Sequence, residues 1–194
     1  ALRNFSPNES DIVKSQTGFA MYDSRTGWLG TLEVMQPGDG YMMKVNGTTQ
    51  LSLTYPNTTS LKSVKTFVYK APPPGWENEP SQFENNLSIV AKLDIGNFPD
   101  IKINHQMSLG AFIDGECRGF TTPLQTSATD YDPFFLNVCN NGGGGQKIEF
   151  RLYDGLTGNQ YLINEIKPFV SDAVYGTIPD PMVLTLKGLM VTGN

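Results

Sequence analysis

The sequence predicts an all-β protein, a small β-rich N-terminal unit followed by an immunoglobulin-like antiparallel β-sandwich. Three observations carry this. Short runs rich in aromatic and branched residues recur along the chain: TGFAMYD, GYMMKV, QLSLTY, KTFVYK, SIVAKLDI, GAFID, FFLNV, IEFRLYD, YLINEI and MVLTL. Gly, Pro, Asn or Asp separate them, as expected between strands. In IEFRLYD, Ile148, Phe150 and Leu152 alternate with Glu149, Arg151 and Tyr153, the period of a strand with one apolar face. The pair Asp114-Gly115 sits between apolar runs, where a type I′ turn needs positive φ at both central residues and so marks a tight hairpin.

Ser6-Pro7-Asn8-Glu9 alone has the form of a helix start, a cap residue before a proline, and it predicts one turn. The basic and acidic residues are unevenly divided. Up to Lys70 seven Lys or Arg face five Asp or Glu, net +2; from Ala71 onward seven face fourteen, net −7. The change falls at APPPGW, Ala71 to Trp76. Consecutive prolines favour a stiff, extended connection and cannot donate to a sheet ladder. A boundary is therefore placed there: 1–70 as the N-terminal unit, 71–76 as a proline-rich connection, and 77–194 as the sandwich. DGLTGNQY, Asp154 to Tyr161, reads as a longer hairpin loop. NNGGGGQ, Asn140 to Gln146, reads as an exposed, mobile loop. It lacks the lysine, Ser/Thr and helix of a phosphate loop, because QKIEFRLYD follows as a strand.

With 194 residues, 39% hydrophobic and 17% charged, the chain can bury one sizeable core or two small ones. No run approaches the roughly 18 apolar residues of a membrane span. The first residues lack the basic and apolar regions of an export signal, so if the protein is exported its signal lies outside this chain. A net charge of −5 and a single histidine argue against a surface built for nucleic acid.

Cys117 and Cys139 allow one intrachain pairing. Two readings stand: a disulfide closing a loop of about 20 residues, contributing roughly 3 kcal/mol, or two buried free thiols. Their separation excludes a CxxC redox or zinc motif. Asp130, Asp132, Asp94, Asp100, Asp114, Glu116 and Asp154 supply oxygen ligands of the kind a structural calcium ion takes, but none falls in an EF-hand loop, and acidic turn residues are ordinary in β proteins. For catalysis, His105 has no assignable acidic partner and no serine lies in a GxSxG context. A paired-carboxylate hydrolase depends on a separation that only the fold sets.

Trp28, Tyr41, Trp76, Tyr131, Tyr153 and Tyr161 lie at or near turns, where an exposed ring could stack on a sugar face. The competing reading is packing: Trp28 as a buried strand residue, and Trp76 as a seal between the two halves.

The run Asp11 to Lys44 resembles a segment of exported Bacteroidota proteins in which QxxFAxYD precedes GWxGxLxxLxPGxGYM. Gln16, Phe19, Ala20, Tyr22, Asp23, Gly27, Trp28, Gly30, Leu32, Pro37, Gly38, Gly40, Tyr41 and Met42 match. FENNLSIVAKLD, GAFIDGECRG, FFLNVCNNGGGG, IEFRLYDGLTG and PFVSDAVYGTIPDPMVLTL are similar, in order, to the module that follows there. The resemblance implies an accessory β-rich module, without established catalytic residues or cofactor, in multidomain proteins that are secreted or displayed on the cell surface. It implies a second unit of about seven strands. Its partners would be the remainder of a larger polypeptide and a glycan or surface protein. The first segment would usually begin earlier, so the chain looks like the tail of a larger module. Cys139 stands where an aromatic residue is expected, so a bridge to Cys117 would be particular to this chain. The expected function is non-catalytic spacing, support or adhesion. The alternative is a carbohydrate-binding module using exposed aromatics, and a hydrolase is the least supported reading.

Overall fold

A computed structural model describes residues 6–36, 38–47, 71–96, 98–142 and 144–190; the expected strands QLSLTY and KTFVYK lie outside them. Among the described residues every regular element is a strand except one 3-10 turn at Pro80–Gln82. The chain is all-β.

Four strands form the first sheet: β1 (Ile12–Lys14), β2 (Phe19–Asp23), β3 (Gly27–Gly30) and β4 (Met42–Lys44), antiparallel in the order β3-β2-β1-β4. The segment before β1 makes a turn rather than a helix. Ser10 is left-handed (φ 62°), the Asp11 amide donates to Asn8 O at 3.1 Å, and the buried Asp11 carboxylate accepts from the Asn8 and Asn46 amides. That carboxylate closes the turn and ties it to the residues after β4.

The remaining strands are β5 (Asn85–Asp94), β6 (Met107–Ile113), β7 (Glu116–Thr121), β8 (Phe134–Asn140), β9 (Lys147–Asp154), β10 (Gln160–Pro168), β11 (Val174–Tyr175) and β12 (Met182–Leu189). Their order is β11-β5-β12-β10-β9-β6-β7, with β8 on the other edge of β5. The arrangement is a sandwich whose two faces are joined by β12. Its first half runs parallel to Ala91–Asp94 of β5, and its second half pairs antiparallel with Tyr161–Ile163 of β10. Where β12 leaves β10, the Glu165 carboxylate accepts from the Thr185 amide at 2.7 Å. β11 is also parallel to β5, so the expected antiparallel sandwich carries two parallel pairings, both to β5. At the opposite end β7 lies so close to β8 that a Cβ on Gly119 would fall 1.9 Å from Asn137 O. The sheet is nearly a closed barrel.

The Asp114-Gly115 hairpin forms as expected, with φ 53° and 83°. Two hairpins share the pattern FxxYDxxTG, Phe19–Gly27 and Phe150–Gly158. In each the phenylalanine is buried and the aspartate closes the turn. Asp23 Oδ1 accepts from the Arg25 and Thr26 amides, while Asp154 accepts from the Leu156 amide and the Thr157 hydroxyl. The GGGG loop is pinned at its far end, where the Gly145 amide donates to Phe169 O and the Phe169 amide to Gln146 O.

Why SIVAKL and FFLNV are almost continuously apolar is now visible, because β5 and β8 are covered on both sides. Leu87, Ile89 and Ala91 with Phe134, Leu136 and Val138 face the sandwich core. Val90 and Phe135, on the alternate face, meet Ile12, Phe19 and Met21 of the first sheet, with Ile178 beside them. Phe19 and Phe135 stand 5.4 Å apart, centroid to centroid. Asn137 donates to Ser15 O and Gln16 O across the same joint. The residues after Ala71 therefore do not tether two free halves. Trp76 is fully buried against Phe112 and Tyr153, on the outer face of β6 and β9. This corrects its expected place: it seals the far face of the sandwich, not the joint.

Candidate functional site

The six aromatic residues singled out for glycan contact are not brought to one face. Trp76 is 1% exposed and belongs to the aromatic cluster with Phe112, Cys117 and Tyr153. A buried ring cannot stack on a sugar, so Trp76 leaves the candidate set, and Tyr153 is half-covered by it. Tyr161 packs edge-on to Phe98 at the other end of the sandwich. Tyr131 donates its hydroxyl to Ile178 O at 2.7 Å. Its phenol is pushed up to about 12, first by burial and then by Asp130. Trp28, expected to be buried, is half-exposed: it pairs with Tyr22 across β2 and β3, and the two rings meet edge-on at 5.6 Å. Alternation explains this, because Met21 and Leu29 take the inner face and leave Tyr22 and Trp28 on the outer one.

Tyr41 is the candidate that lies in a cleft. This space of about 810 Å³ runs between the first sheet and β7, and Gln16, Asp39, Asn78, Phe120 and Asn137 line it together with Tyr41. The Tyr41 hydroxyl accepts from the Gln36 amide at 2.6 Å and donates to Asp39 at 3.2 Å. Its ring is thereby held at the cleft, among amide and carboxylate groups that can bond hydroxyls. Sequence reasoning made Tyr41 a binding candidate but not Gln16, Asn78 or Asn137. Nothing in a single sequence marks amides that only the docking of two sheets brings together.

The cysteines do not pair. Both are free thiols, which corrects the disulfide reading in favour of its alternative. Cys117 joins the Trp76 cluster, with its S–H toward Gly119 O at 3.6 Å; Cys139 points into the joint toward Gln16 O at 3.8 Å. Burial, as the largest cause, pushes each thiol up to about 11, which makes both poor nucleophiles near neutrality.

The acidic residues are dispersed. Asp94 caps the Gly96 amide, Glu116 pairs with Arg118, and Asp154 is used in its own turn. Among the described residues no group of three or more metal-ligating side chains gathers. His105 is exposed in the turn before β6. Among the described residues no helix is long and apolar enough to cross a membrane. No family model matches this chain, and no curated protein or solved structure shows significant similarity to it.

Proposed function

We propose that this chain is a non-catalytic accessory module of a secreted or cell-surface protein, acting in spacing, support or adhesion. The observation that carries the reading is the joint. Ile12, Phe19 and Met21 interdigitate with Val90, Phe135 and Ile178, and Asn137 bonds the backbone of the β1–β2 turn across it. A module that transmits position needs its layers fused by apolar contact rather than hinged. Its motif order resembles that of accessory modules in exported Bacteroidota proteins, which favours the same role and an extracellular setting.

Two measurements test it. Small-angle scattering at low and moderate salt gives one compact particle of unchanged radius if the layers are fused. A broad screen for hydrolysis of glycans and peptides by the purified chain returns no turnover. Saturable turnover of any one substrate overturns the proposal.

A second reading, glycan binding, is favoured by the cleft at Tyr41. It predicts binding on a glycan array, run with and without calcium, that Tyr41→Ala removes while the fold is kept. If binding survives Tyr41→Ala but is lost in Trp28→Ala, the outer face of β2 and β3 is the site instead. A blank array in both conditions removes the reading.

A further inference from the structure

Lys14 ends β1 on the same face as Ile12, so its stem runs into the joint and its side chain is 10% exposed. Two groups meet its ammonium. Nζ lies 2.7 Å from Asn86 Oδ1 and 2.6 Å from Asp172 Oδ1. They arrive from distant points of the chain, 72 and 158 positions away.

Each is held by backbone. Asn86 sits in β5 opposite Cys139 of β8, on the face turned toward the first sheet. Asp172 occupies the turn before β11 in a left-handed conformation, φ 60°, and its amide donates to Asn86 O at 2.9 Å. Ser171 fixes the same turn to Asn85 through a 3.0 Å hydrogen bond. A primary amine on a buried stem, a carboxamide and a carboxylate are thus presented to one another. A simple ion pair would need only the first and third.

We propose that Lys14 and Asn86 form an intramolecular isopeptide bond, with Asp172 as the acid–base partner. Asp172 takes a proton from the Lys14 ammonium. The freed nitrogen lone pair attacks Asn86 Cγ, whose carbonyl the lysine already polarises from Oδ1. The Cγ–Nδ2 bond breaks as Asp172 passes its proton to the departing nitrogen, and the surplus proton of the attacking nitrogen follows through Asp172, so the nitrogen of the carboxamide leaves as ammonium. An amide and an ammonium ion replace the ammonium side chain and the carboxamide, so atoms and charge balance and no oxidant or cofactor takes part. Holding both reactants on packed strands supplies the proximity that makes an amide a usable electrophile; the lysine is buried, while the Asp172 carboxylate is 58% exposed and open to solvent for proton exchange. The product ties β1 to β5 covalently across the joint, around the proline-rich connection. The proposal stands on these three residues and not on the accessory-module reading.

The first test is the intact mass of the full chain under denaturing conditions. The bond makes the chain lighter than its sequence by one ammonia, and proteolysis yields a branched peptide joining Lys14 to Asn86. Lys14→Arg keeps a cation beside Asp172 but restores the full sequence mass. Asp172→Ala slows bond formation by about 100-fold or more, with circular dichroism confirming that the variant is folded. An unshifted mass for the folded wild-type chain overturns the proposal. So does an ammonia loss that persists in Lys14→Arg, since it must arise elsewhere. Loss of water with a Lys14–Asp172 branch overturns the choice of Asn86.

Discussion

The Trp76 ring rests on the α-carbon of Gly110, where an added Cβ would lie 2.6 Å from Cζ3 and 2.8 Å from Cε3 of the indole. Any side chain at position 110 must displace a ring that is boxed in by Phe112 and Tyr153. Gly110→Ala is therefore expected to cost about 1–3 kcal/mol as an overpacking change. Trp76→Ala empties the slot and is expected to cost about 3–5 kcal/mol. Urea unfolding read by circular dichroism measures both. A Trp76→Ala protein of unchanged midpoint would show that the outer face of β6 and β9 does not depend on this ring.

That slot also shows where the sequence was legible and where it was not. IEFRLYD announced β9 because one of its faces meets the core and the other does not, and Asp114-Gly115 announced its turn because φ must be positive twice. β1 and β11 carried no comparable signal: β1 is three residues with a lysine, and β11 is two residues long. These strands exist because neighbours pair with them, which is tertiary context rather than local propensity. Parallel pairing of β12 with β5 was equally hidden, since it depends on Gly176 bending the chain at φ 73°, where a Cβ would lie 2.3 Å from Val90 O. Of the candidate site, Tyr41 was visible as a turn-flanked aromatic. Trp76, after the prolines, was legible as a seal, but not which face it seals, because the glycine that makes room for its ring is distant in sequence.

Phe19 and Phe135 make the joint a shared core, so removing one ring should be felt by both sheets. Phe19→Ala is expected to cost about 3–5 kcal/mol. The two layers should still unfold together. Trp28 reports on the first sheet and Trp76 on the sandwich, so fluorescence of Trp28→Phe and Trp76→Phe variants follows each layer separately. Coincident midpoints are expected, and separated ones would show that the joint does not couple the layers.

Asp23 predicts an acid limb to stability. Burial pushes its carboxyl upward, but the Arg25 side chain and the Arg25 and Thr26 amides outweigh it and hold the group below its ordinary value. A depressed folded value contributes stability that is present above about pH 4, the unfolded carboxyl range. It is lost as pH falls through the folded value. Asp23→Asn should flatten stability below about pH 4 and lower it at neutrality, read from thermal unfolding between acid and neutral buffers. An unchanged acid limb would place the pH dependence elsewhere.

The two thiols predict the opposite limb. In the unfolded chain a cysteine ionises near pH 8.5, whereas burial in the folded protein pushes Cys117 and Cys139 each up to about 11. The folded state holds its protons longer. Their contribution is therefore fully present below the unfolded value and is lost as pH rises between about 8.5 and about 11. The same burial blocks chemistry: a thiol reagent at pH 8 should modify neither cysteine in the native chain within the time it takes to modify both after guanidinium is added. The second half of that experiment needs no reductant, because both sulfurs are free. Rapid native labelling of Cys139 alone would mean that the reagent reaches it from the cleft it lines. Failure to label either cysteine after unfolding without reductant would mean that the sulfurs are bridged.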